Sequence, residues 1–284
     1  DGKLYWIVDA YATTDMYPYS ERTRGIGNYV RNPVKVVISA YDGDVKFYVV
    51  DPKEPLVRCF SRMFPGLFTS ADKMPKSLRA HLRYPTGLFM IQSLLYSTYH
   101  MTQTDVFYNK EDQWELPREI FGEGIEQRVE AYYMVTKPPG ADREAFYLFL
   151  PMTPAGKDNV IAWMCANCDD PNYGQITVYN FPKDKVVYGP MQIEARIDQD
   201  EHISRDFTLW SQKGSRVIRG NVLVIPIEDS LLYVEPIYLQ AERSELPELK
   251  RVIVASGNEV VMEPTLEAAL ERLFPGLADQ RATP

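Results

Sequence analysis

Two cysteines near the middle of the chain have the spacing that chemistry uses. Cys165 and Cys168 form a C-x-x-C pair, and Asp169 and Asp170 follow directly. Such a pair is typical of a zinc knuckle or a thiol redox motif. Structural zinc needs four ligands, but the remaining cysteine is Cys59 and the histidines lack knuckle spacing. Adjacent carboxylates raise a thiol pKa, which disfavours redox catalysis. We therefore expect a strand end running into a β-turn; in an oxidising compartment the pair would be able to close into a local disulfide.

The second candidate site is an irregular stretch, residues 13–32, which is rich in tyrosine and arginine. Loops held on a rigid scaffold often carry binding sites. Arginine forks onto carboxylates or phosphates, and tyrosine stacks on sugars or rings. The ligand-binding candidates are Tyr17, Tyr19, Arg22, Arg24, Asn28 and Arg31. The alternative is a well-packed connection in which the arginines pair with surplus acidic residues.

A third candidate lies on an amphipathic helix that the apolar periodicity predicts at about 191–211. Asp198 and His202 are four residues apart and would be able to share a metal ion. The face opposite the apolar stripe also carries Glu194, Glu201 and Arg205. Glu201 and Arg205 make a favourable i,i+4 pair. We therefore interpret this face as solvated, and we predict neither a metal site nor a cofactor.

Other catalytic signatures are missing from the sequence. It contains no G-x-S-x-G, P-loop, HExxH or EF-hand pattern. His100 follows a buried helix, where a histidine caps carbonyls or satisfies a core hydrogen bond. Catalytic residues therefore stay unassigned. The net charge of −8, without a Lys/Arg cluster, argues against nucleic acid as a partner.

The elements that must position these residues follow from local patterns. The 284 residues include 19 tyrosines and 21 prolines, which favours a β-rich chain with many turns. A hairpin is predicted around Asp42-Gly43-Asp44, a helical segment at about 55–101, and a C-terminal helix near the end of the chain. Strands dominate the remainder. The order favours an α+β fold with mostly antiparallel sheets.

We expect one soluble region, 1–284, with two possible lobes, 1–118 and 126–284. The break is placed at residues 117–127, where glycines interrupt the pattern. The chain starts at Asp1 without a basic, then apolar, leader, so we expect a piece of something longer that carries no signal peptide. The longest uncharged run, between Arg83 and Asp105, is too polar to span a membrane.

Long strings along the whole chain resemble one family. They include GKLYWIVDAY, NYVRNPVKVVISAYDGDVKFYVVDP, PAGKDN, GPMQIEARIDQD, GSRVIRGNVLVIPI and LLYVEPIYLQAE, in that order. The chain resembles uncharacterised protein family 0182, whose members are multi-pass membrane proteins with a large soluble region. The resemblance implies that this chain is that soluble region, facing outward from the cell membrane, and that its partners include N-terminal transmembrane helices absent from this sequence. It implies no activity and no catalytic residues.

Two functional hypotheses follow. The first is a non-enzymatic extracytoplasmic module for binding, sensing or scaffolding, which would contact an envelope component or a protein partner, or form a homo-oligomer. The second is a cell-envelope hydrolase or transferase using paired carboxylates such as Asp9, Asp15 or Glu194. A pocket with two facing carboxylates would favour the enzyme. A flat aromatic patch or a symmetric interface would favour the module.

Overall fold

The computed structural model describes residues 2–182, 186–212, 214–227, 230–241 and 246–275. The chain forms two compact units. The first comprises Asp1–Leu95 and Ala166–Gln175, and the second comprises Tyr96–Cys165 and Ile176–Pro284. These limits do not follow the predicted lobes, 1–118 and 126–284. A short segment from the middle of the chain, 166–175, returns to the first unit.

Sixteen strands occur in the described residues. They are β1 (Tyr5–Thr14), β2 (Tyr29–Ser39), β3 (Val45–Val49), β4 (Phe68–Ser70), β5 (Trp114–Glu115), β6 (Arg118–Phe121), β7 (Ile125–Arg128), β8 (Tyr132–Thr136), β9 (Ala145–Pro154), β10 (Ala162–Asn167), β11 (Ile176–Asn180), β12 (Ser215–Arg219), β13 (Leu223–Ile227), β14 (Ser230–Ala241), β15 (Glu248–Ser256) and β16 (Glu259–Glu263).

Seven α-helices accompany them in the same part of the chain. They are α1 (Pro55–Met63), α2 (Lys76–Arg79), α3 (Thr86–Tyr99), α4 (Thr104–Asn109), α5 (Pro190–Gln199), α6 (Glu201–Trp210) and α7 (Leu266–Leu273). With mostly antiparallel strand pairs, this composition confirms the α+β prediction. None of the described helices is long and apolar enough to cross a membrane.

The first unit is built on the sheet β1-β2-β3-β4. The predicted hairpin is confirmed, since β2 and β3 pair antiparallel from Ile38 opposite Val45 to Val34 opposite Val49. One face of the sheet packs Val37 against the segment that follows β4, in a cluster with Met74 and Leu82. The other face packs Val34 and Val36 against α1, where they form a cluster with Val57.

Local signals explain why α1 forms where it does. Glu54 precedes the helix in extended conformation, and its side chain accepts a hydrogen bond from the Val57 N–H at 2.6 Å. Pro55 occupies the first turn, where its missing N–H costs nothing. The helix ends at Met63, just before Pro65 and Gly66, residue types that commonly follow the end of a helix.

The second unit contains two larger sheets and a hairpin. The sheets have the orders β11-β10-β9-β5, with β8 on β9, and β12-β14-β15-β16, with β13 on β14. Helices α5 and α6 pack on the second of these through Ile193, Ile197 and Ile203. Helix α7 packs on its other face through Ala269 and Leu273. The predicted C-terminal helix is therefore confirmed, and it covers a sheet.

One prediction about local structure is wrong. The single helix at about 191–211 is two helices, because Asp200 adopts ψ 119° and its carboxylate caps α6 by accepting from the N–H groups of His202 and Ile203. Residues 117–127, where a break between lobes is predicted, contain most of the hairpin β6–β7, in which Gly122 and Gly124 supply positive φ. Glu228 and Asp229, which the sequence places between two β-rich runs, lie outside the described residues.

Candidate functional site

The C-x-x-C pair lies at the end of β10, where both thiols are buried. Cys165 and Cys168 are buried free thiols. Burial raises the pKa of Cys165 to about 12, and burial also raises the pKa of Cys168. Strand β10 ends at Asn167, whose side chain accepts from the Asp169 N–H at 2.8 Å. The prediction of a strand end entering a turn is thus confirmed. No group of three metal-ligating side chains occurs in the described part of the chain.

Cys168 instead helps to fix the segment 166–175 within the first unit. Its sulfur accepts a hydrogen bond from the Tyr84 N–H at 3.4 Å. Tyr173 reaches the same stretch, because its hydroxyl donates to the Arg83 carbonyl at 3.0 Å. Gly174 lies so close to the Tyr84 ring that an added Cβ would be 3.4 Å from it. The segment is therefore held by side chains on both sides of a tight turn.

Lys35 lies beneath this segment and is 1% exposed. Its ammonium group donates to the Asp9 carboxylate and, at 3.0 Å, to the Arg83 carbonyl. It also lies 5.6 Å from the centroid of the Tyr173 ring. Burial lowers the pKa of Lys35, while Asp9 acts in the opposite direction. One buried cation thus ties the sheet to the Arg83 carbonyl that Tyr173 also uses.

The first unit has an open cavity of about 620 Å³ beside α2. We call it the α2 cavity. Its apolar wall is formed by Val50, Met74, Leu82 and the Tyr173 ring, with Ala71 and Ala80 nearby. Its polar lining comprises Asp72, Lys76, Arg79, Cys168, Asp169 and Asp170. A concave surface with an apolar wall and a few convergent polar groups is the usual form of a small-molecule site.

A salt bridge dominates the polar side of the α2 cavity. Arg79 donates through Nε to Asp170 Oδ2 at 2.5 Å and through Nη2 to Oδ1 at 3.3 Å. Asp72 lies further away, with Oδ1 3.9 Å from Arg79 Nη1. Hydrogen bonding to Asp170 raises the pKa of Arg79. The guanidinium therefore stays charged and is oriented by a carboxylate from the segment 166–175.

The predicted binding loop is a well-ordered connection between β1 and β2. Asn28 holds it, since its amide accepts from the Tyr17 N–H at 3.0 Å and donates to the Tyr17 carbonyl at 2.6 Å. Gly27 has φ 109°, and a Cβ there would lie 2.5 Å from the Thr14 carbonyl oxygen. Arg22 reaches the Asp15 carbonyl at 3.5 Å. Asn28 is thus a positioning residue within the loop.

Aromatic side chains from this loop form a short stack on the surface. The rings of Tyr17 and Tyr29 stack with centroids 5.5 Å apart, and the Arg31 guanidinium lies 5.1 Å from the Tyr29 ring. Tyr19 is fully exposed, with a left-handed φ of 59°. Arg24 is also exposed. The structure brings Tyr17, Asn28 and Arg31 into one neighbourhood, and the loop remains a predicted binding site.

A buried charge cluster in the second unit was not foreseen. Arg219 donates to Glu235, to Asp198 at 2.7 Å and to Glu194. Glu194 is completely buried, so its assignment to a solvated helix face is wrong. Helical periodicity predicts which residues share a face of the helix, but it does not predict which cation packs against that face. Glu194 Oε1 has no hydrogen-bond partner in the described residues.

A third buried carboxylate, outside the Arg219 cluster, lies in the same unit. Glu119 accepts from the side chains of Gln127 at 3.1 Å and Asn221 at 2.7 Å, and from the Val222 N–H at 3.0 Å. Burial nevertheless raises the pKa of Glu119. Its hydrogen bonds join the β6–β7 hairpin to the start of β13. Both clusters are enclosed, which favours a structural role.

Comparison with known proteins gives the chain a family. A model described as Uncharacterised protein family (UPF0182) matches residues 1–210. A UPF0182 protein from Sulfurovum sp. is 55% identical over 290 residues, covering 100% of this chain and 31% of the relative. A relative from Methanospirillum hungatei is also 55% identical, covering 97% and 31%. One from Nostoc sp. is 54% identical, covering 96% and 27%.

The chain belongs to the UPF0182 family. It spans about a third of the length of these relatives. No solved structure matches it. The resemblance of the long sequence strings is therefore confirmed, whereas the activity and location of the whole UPF0182 protein are matters for proposal.

The sequence of this UPF0182 chain did not predict the residues that shape the α2 cavity. Arg79 and Asp170 are 91 residues apart, so no local pattern joins them. Lys35 did leave a signal, because it interrupts the apolar run VKVVIS in a strand buried on both faces. Of the carboxylates proposed for an enzyme, Asp9 pairs with Lys35, Glu194 pairs with Arg219, and Asp15 is exposed.

Proposed function

We propose that this chain is an extracytoplasmic binding module of an integral membrane protein, and that the α2 cavity holds its ligand. The observation that carries the proposal is the combination of an apolar wall with the Arg79–Asp170 pair in one open cavity of about 620 Å³. Small-molecule sites typically have volumes of about 300–1,000 Å³. The extracytoplasmic location rests on the family resemblance.

The lining of the α2 cavity indicates the class of ligand. Val50, Met74 and Leu82 offer an apolar wall, so part of the ligand is apolar. The opposite side presents both charges of a salt bridge, which suits a ligand carrying a polar or charged group. The expected ligand is therefore a small amphipathic molecule, such as a component of the cell envelope.

Binding has more support than catalysis at this site. The thiol of Cys168 has a raised pKa, so little of it is the nucleophilic thiolate at neutral pH. Asp170 is engaged by Arg79. The alternative, a cell-envelope hydrolase or transferase with paired carboxylates, has less support because Asp9 and Glu194 are each held in an ion pair with a buried cation.

The proposal is tested by thermal shift with nucleotides, sugars, muropeptides, lipid headgroups and divalent metals as probes. A ligand that binds only the folded state raises its stability, by about 2.7 kcal/mol at a hundred times Kd. Ala80 lines the cavity and is exposed, so Ala80→Trp would obstruct the site without disturbing the core. Ser77 is an exposed residue of the same helix outside the lining, which makes Ser77→Trp the matched control.

The expected result is a saturable shift that Ala80→Trp abolishes and Ser77→Trp preserves. A shift that both variants preserve would place the ligand elsewhere and overturn the assignment of the α2 cavity. The same panel examines the loop 13–32. If Arg22→Ala or Arg24→Ala removes the shift, the ligand binds the loop predicted from the sequence.

A further inference from the structure

The sheet of the first unit exposes apolar side chains on the face that packs against α1. Residues paired across neighbouring strands point to the same face of a sheet. Trp6 lies opposite Ile38, which in turn lies opposite Val45. Val8 lies opposite Val36, which shares a buried cluster with Val57 of α1. On this face Trp6 remains 68% exposed.

Helix α1 extends this surface with apolar side chains of its own. Phe60 and Met63 are exposed, although the helix packs on the sheet through Val57. Contiguous exposed apolar surface marks interaction sites, whereas single exposed apolar side chains are ordinary. Together with the neighbouring row of β1, they form an apolar face on the first unit.

Positive charge accompanies these apolar groups. Arg58 and Arg62 are four residues apart on α1, and both are exposed. With Cys59 and Met63 they border a shallow groove of about 320 Å³. Glu54, the acidic residue at the start of the helix, is buried and accepts hydrogen bonds from Tyr29 and Val57. The exposed charges of residues 53–62 are therefore all positive, on a chain whose net charge is −8.

We propose that this surface docks on an anionic lipid bilayer. We name it the α1 face, formed by Trp6, Val8, Val45, Phe60, Met63, Arg58 and Arg62. Arginines that share a groove with Met63, on a unit that also exposes Trp6 and Phe60, match an interface in which cations meet lipid phosphates while apolar groups enter the headgroup region. A two-fold contact between copies would place the same arginines against one another, so charge favours an anionic bilayer over a second copy. The site is separate from the α2 cavity.

Vesicle flotation with the 284-residue chain tests the proposal. The probes are vesicles of phosphatidylcholine alone and of phosphatidylcholine mixed with phosphatidylglycerol. We expect binding to the mixed vesicles that weakens as salt is added, because each basic side chain near an anionic surface contributes about 1 kcal/mol. The double variant Arg58→Gln, Arg62→Gln should lower the vesicle partition coefficient roughly tenfold or more.

Three further variants serve as controls for this experiment. The double variant Arg128→Gln, Arg205→Gln removes the same charge from exposed positions of the second unit and should leave vesicle binding nearly unchanged. The variant Trp6→Thr, Met63→Ser removes exposed apolar groups and should weaken binding without lowering the melting temperature. Ala80→Trp should bind vesicles like the parent chain, which separates this proposal from the α2 cavity.

Three outcomes would overturn the lipid proposal. Equal binding to neutral and anionic vesicles would show that the arginines do not select the surface. An equal loss in the Arg128, Arg205 control would reduce the effect to net charge. A dimer in sedimentation velocity that dissociates in Trp6→Thr, Met63→Ser, with no vesicle binding by the parent chain, would assign the α1 face to a second copy.

Discussion

Arg219 and Glu235 form a bidentate ion pair between the neighbouring strands β12 and β14. Arg219 Nε lies 2.7 Å from Glu235 Oε1, and Nη2 lies 3.1 Å from Oε2. Glu194 and Asp198 approach the same guanidinium from α5. Three carboxylates therefore share one cation, and two of them are buried. This excess of carboxylates over cations should affect the free energy of unfolding.

The first consequence is a dependence of stability on pH. Burial raises the pKa of Glu235 from 4.5 to about 7. The folded protein therefore holds a proton that the unfolded chain releases, so stability is highest below about pH 4.5 and falls as pH rises to about 7. The shift corresponds to at most about 3 kcal/mol. Burial also raises the pKa of Glu119 and Asp198, which act in the same direction.

Glu235→Gln tests this dependence, because glutamine keeps the shape and cannot ionise. Urea unfolding at about pH 5 and about pH 8 should show a smaller loss of stability in the variant than in the parent chain. Glu259→Gln, at an exposed position of the same sheet, is the control and should keep the parent slope. Equal slopes in all three proteins would show that Glu235 is ionised throughout this range.

A second prediction concerns the cation itself. Arg219→Met removes the guanidinium that faces Glu194, Glu235 and Asp198, and within the described residues it leaves the two buried carboxylates without their ion-pair partner. We expect the free energy of unfolding near neutral pH to fall by about 3–5 kcal/mol. Arg216 is exposed in the same strand and pairs with Glu123 at 2.6 Å. Arg216→Met should therefore cost about 0–1 kcal/mol.

Denaturant unfolding of both variants decides the matter. If Arg219→Met is no more destabilising than Arg216→Met, the carboxylates must be neutral in the parent protein. In that case the loss for Arg219→Met should reappear at higher pH, where Glu235 ionises.

A third prediction concerns Lys35, which anchors the segment 166–175 through the Arg83 carbonyl and Tyr173. Lys35→Met removes one of the two donors to that carbonyl and the ion-pair partner of Asp9, so we expect a loss of about 1–3 kcal/mol. Amide hydrogen exchange should also become faster in residues 166–175. Lys46 lies exposed on the next strand and pairs with Asp44 at 3.3 Å. Lys46→Met should change neither measurement by much.

The amide hydrogen exchange rates of residues 166–175 decide this test. Protection of residues 166–175 that is unchanged in Lys35→Met would show that Cys168, Arg79 and Tyr173 hold the segment without the lysine. Such a result would also weaken the argument that the α2 cavity has a fixed wall, since the segment supplies Asp169, Asp170 and Tyr173 to it.

The sequence predicted elements whose signals are local. The β2–β3 hairpin follows from a glycine turn between β-rich runs, and α1 follows from its proline start and its Pro65-Gly66 end. The sequence did not indicate that the predicted 191–211 helix is split, because Asp200 is equally compatible with a polar position on one continuous helix. Its role as a cap depends on the backbone, which turns at ψ 119°.

The functional groups were harder to predict because they are brought together over long distances. Arg219 lies 25 residues from Glu194, and Arg79 lies 91 residues from Asp170. Helical periodicity shows which side chains share a face. Whether that face contacts water or a buried arginine depends on the sheet that packs against the helix. The binding loop was found from its composition, since Tyr17, Asn28 and Arg31 are close in sequence.

A final prediction concerns the reactivity of the three thiols, including the C-x-x-C pair. Cys165 and Cys168 are buried and have raised pKa values, whereas Cys59 is exposed on α1. In the folded protein a thiol reagent such as DTNB should therefore modify Cys59 rapidly and the other two only as fast as the protein unfolds. Full denaturation should release all three. Cys59→Ser should remove the fast phase and keep two slow thiols. A fast phase that persists in Cys59→Ser would mean that the turn after β10 opens in the native state, and the C-x-x-C pair would again become a candidate for redox chemistry.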